Sequence, residues 1–148
     1  RSSLFPYTTL FRSYSDEVLI SHRTDAEKGT PKFERGKSLS DHQREMIYIS
    51  GTAAIRGEES IVTGDVLVQT EITLENIQHL IGLEEGREKL PEHSGKLELL
   101  RVYLKHEEDA KIVKEDMDKL CPDVPIVYLY ADVCREELLV EIEGIAYL

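Results

Sequence analysis

Hydrophobic and polar positions along the chain change period several times, and each change marks an element. Met46-Ile47-Tyr48-Ile49-Ser50 is β-branched and aromatic and runs into Gly51, the pattern of a strand meeting a bend or a close backbone approach. Residues 53–62 predict a second strand that turns near Arg56-Gly57. From Asp65 to about Gly82 the apolar residues Leu67, Leu74, Ile77 and Ile81 are spaced 7, 3 and 4, which puts them on one helical face behind a Gly64-Asp65 cap. Residues 83–95 are charge-rich and broken by Gly86, Pro91 and Gly95, a loop. Leu97 to Lys105 reads as a central strand with Arg101 and Tyr103 on one side. Ala110, Val113, Met117 and Leu120, spaced 3, 4 and 3, predict a second amphipathic helix that stops before Pro122. Strands over Val124 to Val133 and Leu138 to Ala146 close the chain. In the last of these a period of two places Glu141 and Glu143 on one side and Val140 and Ile142 on the other. Residues 14–40 are polar, punctuated by Gly29, Pro31 and Gly36, with one apolar run at Val18-Leu19-Ile20: a linker plus one extended segment. The order ββ-α-β-α-ββ predicts an α+β or α/β sheet with its helices on one face.

Composition narrows the class. The chain has 148 residues, 41% of them hydrophobic, enough for one domain with one core. No stretch reaches the roughly 18 uninterrupted apolar residues of a membrane span, so no membrane partner is expected. With 18 Lys plus Arg against 29 Asp plus Glu the formal charge is -11, which repels a polyanionic backbone and argues against nucleic acid as a partner. Cys121 and Cys134 lack CxxC spacing and are too few for a disulfide scaffold, as suits a reducing compartment such as the cytoplasm.

Common catalytic signatures are missing from the sequence. The five histidines, His22, His42, His79, His93 and His106, form no HExxH, HxH or Cys/His cluster, so neither a metal site nor a cofactor is expected. Gly51 and Gly57 make no phosphate-binding loop, and there is no GxSxG elbow. The informative piece is the final strand. A carboxylate there that faced a partly apolar pocket would have its pKa raised by desolvation and would exchange a proton at neutral pH. The alternative is that Glu141 and Glu143 share a solvated face, the ordinary place for glutamate. Cys134 reads as a small hydrophobe before it reads as a nucleophile. Arg135 reads either as a rim charge or as a two-pronged binder of a substrate carboxylate.

Arg1 to Ser13 has no acidic residue, although acidic residues dominate downstream. The run Pro6-Tyr7-Thr8-Thr9-Leu10-Phe11-Arg12-Ser13 resembles the conceptual translation of a common high-throughput sequencing adapter. On that resemblance residues 1–13 are expected to be foreign sequence, with 14–30 a linker or the remnant of a longer N-terminal region. Without Arg1 and Arg12 there remain 16 basic against 29 acidic residues, a charge of -13.

Across residues 31–148 an ordered set of motifs resembles the Rid (reactive intermediate deaminase) superfamily, some of whose members carry an endoribonuclease L-PSP label, and within it the chorismatase-like branch. The set is Pro31-Lys32-Phe33-Glu34-Arg35-Gly36, Ile47-Tyr48-Ile49-Ser50-Gly51-Thr52-Ala53, Gly64-Asp65 with Gln69, Glu71, Thr73 and Asn76, Arg101-Val102-Tyr103, and Cys134-Arg135 leading to Val140-Glu141-Ile142-Glu143-Gly144-Ile145-Ala146. The resemblance implies an α+β, chorismate-mutase-like or RidA-like ββαβαββ sheet with two helices on one face, assembled as a homotrimer with pockets between subunits. It implies a small carboxylate substrate. Glu141 matches the catalytic glutamate, Ser50 and Gly51 the pocket-lining pair that offers backbone donors, and Phe33 the pocket aromatic. In the deaminases an arginine that binds the substrate carboxylate stands where this chain has Val133. Ordinary imine deaminase activity therefore requires that Arg135, two residues on and on the same strand face, take its place. In some chorismatases, which hydrolyse the enolpyruvyl ether of chorismate, a cysteine lies seven residues before the acid/base glutamate, as Cys134 does before Glu141. Arg101 is then a carboxylate binder. Chorismatases are also longer, so a lost N-terminal portion is expected. Either enzymatic reading makes Glu141 the proton donor to an electron-rich double bond. The alternative class is a non-catalytic binder of a small carboxylate on the same trimeric fold.

Overall fold

The computed structural model describes residues 7–11, 34–40, 45–57, 59–82 and 96–147. Strands β1 (Tyr7–Phe11), β2 (Gly36–Ser40) and β3 (Glu45–Thr52) are followed by the short β4 (Ile55–Arg56) and β5 (Glu59–Ser60), then by helix α1 (Val66–Gly82). Strand β6 (Lys96–Leu104), helix α2 (Ala110–Leu120), β7 (Ile126–Tyr130) and β8 (Val140–Tyr147) complete the chain. Six strands form one sheet in the order β1-β2-β3-β8-β6-β7, and β4 pairs with β5 alone. Only β6 and β7, joined through α2, run parallel in that sheet; the other neighbours are antiparallel.

Alternation along the strands builds the core. Ile47 and Ile49 of β3, Leu100, Val102 and Leu104 of β6, and Val140, Ile142 and Ala146 of β8 pack together with α1 and α2. Leu74, Ile77, Leu80 and Ile81 come down from α1, and Val113 and Met117 from α2, so both helices cover the same face, as expected. Asp65 caps α1: its Oδ1 accepts the backbone N–H groups of Leu67 at 2.9 Å and Val68 at 3.4 Å. Among the described residues no helix covers the opposite sheet face. Tyr48, Val127 and Leu129 lie there at 43%, 47% and 38% exposure. Among the described residues no helix is long and apolar enough to cross a membrane.

Several local expectations change. Gly36–Ser40 is a strand rather than part of a linker; Lys37 and Ser38 give it no apolar alternation, and pairing with β3 supplies the missing signal. The Ser38 hydroxyl donates to Glu45 Oε1 at 2.7 Å across that hairpin. The strand expected over 53–62 is instead the two-residue pair β4–β5, folded back about Gly57 at φ +63°. The strand expected over Val124 to Val133 ends at Tyr130. The outermost strand, β1, is drawn from the adapter-like stretch and pairs with β2. The linker over 14–30, the loop over 83–95 and Phe33 lie outside the described residues.

Candidate active site around Glu141

Glu141 projects from β8 on the face away from the helices, directly opposite Tyr103 of β6, while Glu143 stands opposite Arg101. The same register on the other side of β8 contains an irregularity: Ile49 pairs with Gly144 but Thr52 with Ile142, so Ser50 and Gly51 together oppose one residue. This bulge turns Gly51 toward Glu141. A β-carbon built on Gly51 would lie 2.9 Å from Glu141 Cδ and would overlap Oε1. The carboxylate thus rests against a backbone surface that only glycine leaves open. The close approach anticipated at Gly51 from a strand that ends in glycine is this one.

Glu141 is half-buried. Burial is the main cause that pushes its carboxyl above the usual carboxylate range, and the charge of Glu143 adds to it. Hydrogen bonds from the Cys134 thiol and the Cys134 backbone N–H oppose the shift, as does the positive charge of Arg35. Cys134 and Glu141 are therefore in contact. The Cys134 thiol is itself raised, by burial first and by Glu141 second, against the lowering influence of Arg135 and Arg35. Raising the thiol favours its protonated form, the form that donates a hydrogen bond to the carboxylate.

The remaining expected residues lie at different distances from this pair. Arg101 is half exposed, and its Nε is 2.8 Å from Glu143 Oε1. The Tyr103 hydroxyl donates to the same oxygen. Arg101 thus stands one rung away from Glu141, tied to the second glutamate. Arg135 lies beyond the end of β7 and opens a turn in which the Leu138 N–H donates to the Arg135 carbonyl at 3.2 Å. Its Nη1 donates to Ser60 Oγ at 2.9 Å. The period-two argument that put Arg135 on the face of Val133 does not hold, because no strand runs through 131–139. Val133 packs against Ala53, Ala54, Ile55 and Leu138 in a small apolar cluster. Ser50 lines the bulge, but its N–H already donates to the Arg35 carbonyl at 3.0 Å, which removes one of the two expected backbone donors.

Two residues of the site, Arg35 and Gln69, stand in the sequence motifs without a predicted role. Arg35 is 6% exposed, and its charge acts on both Glu141 and Cys134. No local pattern marks an arginine in a polar stretch as buried. Gln69, fully buried on α1, interrupts the apolar face of that helix, and an uncharged polar residue at a core position was the available signal.

No protein-family model matches the chain. A chorismatase of Streptomyces rapamycinicus is 36% identical over 136 residues, covering 86% of this chain and 41% of its own length. A 3-hydroxybenzoate synthase of Streptomyces hygroscopicus is 36% identical over 128 residues, covering 78% of this chain and 36% of its own. The chain thus spans about two-fifths of the length of these relatives. Among solved structures, a chorismatase crystal structure superposes with TM-score 0.71 at 30% identity, covering 93% of this chain and 42% of that one. A Mycobacterium tuberculosis member of the YjgF/YER057c/UK114 family superposes with TM-score 0.63 at 18% identity over 96% of this chain and all of its own, a likeness of fold. In sequence the chain is similar to part of the chorismatases, and in fold it is like both a chorismatase and the YjgF/YER057c/UK114 structures.

Proposed function

We propose that this domain serves a small-molecule hydrolase that protonates an unsaturated carboxylate of the enol-ether type found in chorismate and adds water to it. The observation that supports this most is the seat of Glu141: a half-buried carboxyl with a raised pKa, lodged on Gly51 and held by the thiol and N–H of Cys134. Burial that raises the proton affinity of this carboxyl suits it to give a proton and take one back. Transfer of that proton to the terminal carbon of an enolpyruvyl ether leaves an oxocarbenium ion at the ether carbon. Water adds there and returns a proton to the Glu141 carboxylate. The resulting hemiketal parts into pyruvate and the ring alcohol, one water being consumed. Arg101 and Arg135 supply positive charge for the substrate carboxylates. In this reading the cysteine lies beside the reacting ring, no cofactor takes part, and the enzyme works in the cytoplasm without nucleic acid. Residues 1–13 are foreign to it, and 31–148 form the working domain.

Assembly as a homotrimer with pockets between subunits belongs to the same reading. The exposed apolar side chains Tyr48, Val127 and Leu129 on the face that carries Glu141 support it, since exposed apolar surface is commonly buried by a neighbour. Val133 at the deaminase arginine position supports a second reading, a binder of small carboxylates without turnover.

One experiment separates them. The purified chain is given chorismate and, separately, freshly generated 2-aminoacrylate, pyruvate is followed, and the mass in solution is measured by sedimentation. The proposal expects pyruvate from chorismate by a species of three chains. Binding of chorismate without pyruvate would favour the second reading, and a purely monomeric active species would remove the trimer.

A further inference from the structure

The link between Cys134 and Glu141 is short, and a side chain from outside it closes its base. The Gln69 Nε2 donates to the Glu137 carbonyl at 3.1 Å and, more weakly, to the Ile61 carbonyl at 3.5 Å, while its Oε1 accepts the Leu139 N–H at 2.8 Å. A carbonyl and an N–H two residues apart are what an extended chain offers to a neighbouring strand, so the amide of Gln69 stands in for a strand partner. On the other side the Lys105 N–H donates to the Leu139 carbonyl at 3.0 Å, and the Lys105 ammonium donates to the Glu136 carbonyl. Leu139 is thereby fixed through both of its backbone groups. Alternation from it sends Val140 into the core and Glu141 to the open face.

We infer that Gln69 is a positioning residue which, by clamping Glu137 and Leu139 to α1, holds the Cys134 thiol against the Glu141 carboxylate. The inference rests on the proposed role of Glu141 for its catalytic meaning, but the contact it concerns is measurable without turnover. Gln69 touches neither group and acts through the backbone of the loop between them. The charged groups that act on the thiol are Glu141, Arg135 and Arg35, and all three remain when Gln69 is replaced.

The test is the pH dependence of Cys134 alkylation by iodoacetamide in a Cys121→Ser background. Burial and Glu141 hold the thiol above its ordinary range. Gln69→Leu should release the loop and lower the apparent pKa, speeding alkylation at neutral pH by about three- to tenfold, the change in thiolate fraction for a fall of about half to one pH unit. Leu74→Ala, a core change on the same helix, should lower stability and leave the thiol profile where it was. A Gln69→Leu protein with the wild-type profile would overturn the inference, as would a Leu74→Ala protein with the same displacement. If chorismate is not turned over while Gln69→Leu shifts the thiol, the function fails and the positioning stands.

Discussion

Glu141→Gln should reduce kcat on chorismate by about 10²- to 10⁴-fold, the range for loss of a positioned acid/base, while making the folded protein more stable near neutral pH. The second half follows from the direction of the pKa shift. The folded-state pKa is raised above the ordinary 4.5, so the contribution of this carboxyl to stability is fully present below its unfolded pKa and is lost as pH rises through the folded one. The ionised form is the disfavoured one in this half-buried position beside Glu143. Glutamine has the same shape, keeps an oxygen for the Cys134 donors and carries no charge. Thermal unfolding should therefore show a higher Tm for the variant at neutral pH and a vanishing difference below about pH 4, where even the unfolded carboxyl is protonated. Full activity in the variant would remove Glu141 from the mechanism. Lower stability at neutral pH would remove the account of its pKa.

Gly51→Ala should abolish most of the same activity from the other side of the contact. The added methyl would occupy the space of the Glu141 carboxylate. The obstructing atoms are the far end of a flexible side chain, so the carboxylate swings away and the backbone keeps its course. Gly51 is not among the glycines with positive φ, and alanine adds no backbone strain there. The expected result is a loss of kcat approaching that of Glu141→Gln with little loss of stability. Because both changes act on one group, the double variant should be no less active than Glu141→Gln alone. Additive losses in that cycle would mean that Gly51 serves catalysis by some route other than the seating of Glu141.

How much of this was legible depends on which interactions carry a periodic trace. The α1 cap at Asp65, the alternation of Val140-Glu141-Ile142-Glu143 and the glycine near the end of β3 are local patterns, and each reappears in the structure. Strand β2 has no such trace, because its order comes from hydrogen bonds to β3 rather than from an apolar face of its own. The α1 face that meets the core carries Gln69, Thr70, Thr73 and Asn76 among its apolar residues. Thr70 and Thr73 satisfy their hydroxyls on helix carbonyls four residues back. Asn76 donates to the Ala53 and Ile55 carbonyls, and its Oδ1 accepts from Arg56, which stitches the β4–β5 turn to the helix. Buried polar residues with distant partners are read as surface positions when only apolar spacing is counted.

The sequence by itself determined the α+β class, the two helices, the inward and outward faces of β8, and the Cys134 to Glu141 interval that carries the likeness to chorismatases. These depend on neighbours within a few residues, where the periods of 2 and 3.6 dictate which side chains share a face. Tertiary structure alone decided that the β3 bulge seats Glu141 on Gly51, that Arg101 pairs with Glu143 instead of standing open, that Arg135 leaves the strand for Ser60, and that Arg35 is buried beside the acid. Each of these is a contact between segments tens of residues apart. Its geometry is fixed by sheet register and desolvation, neither of which leaves a mark in local order.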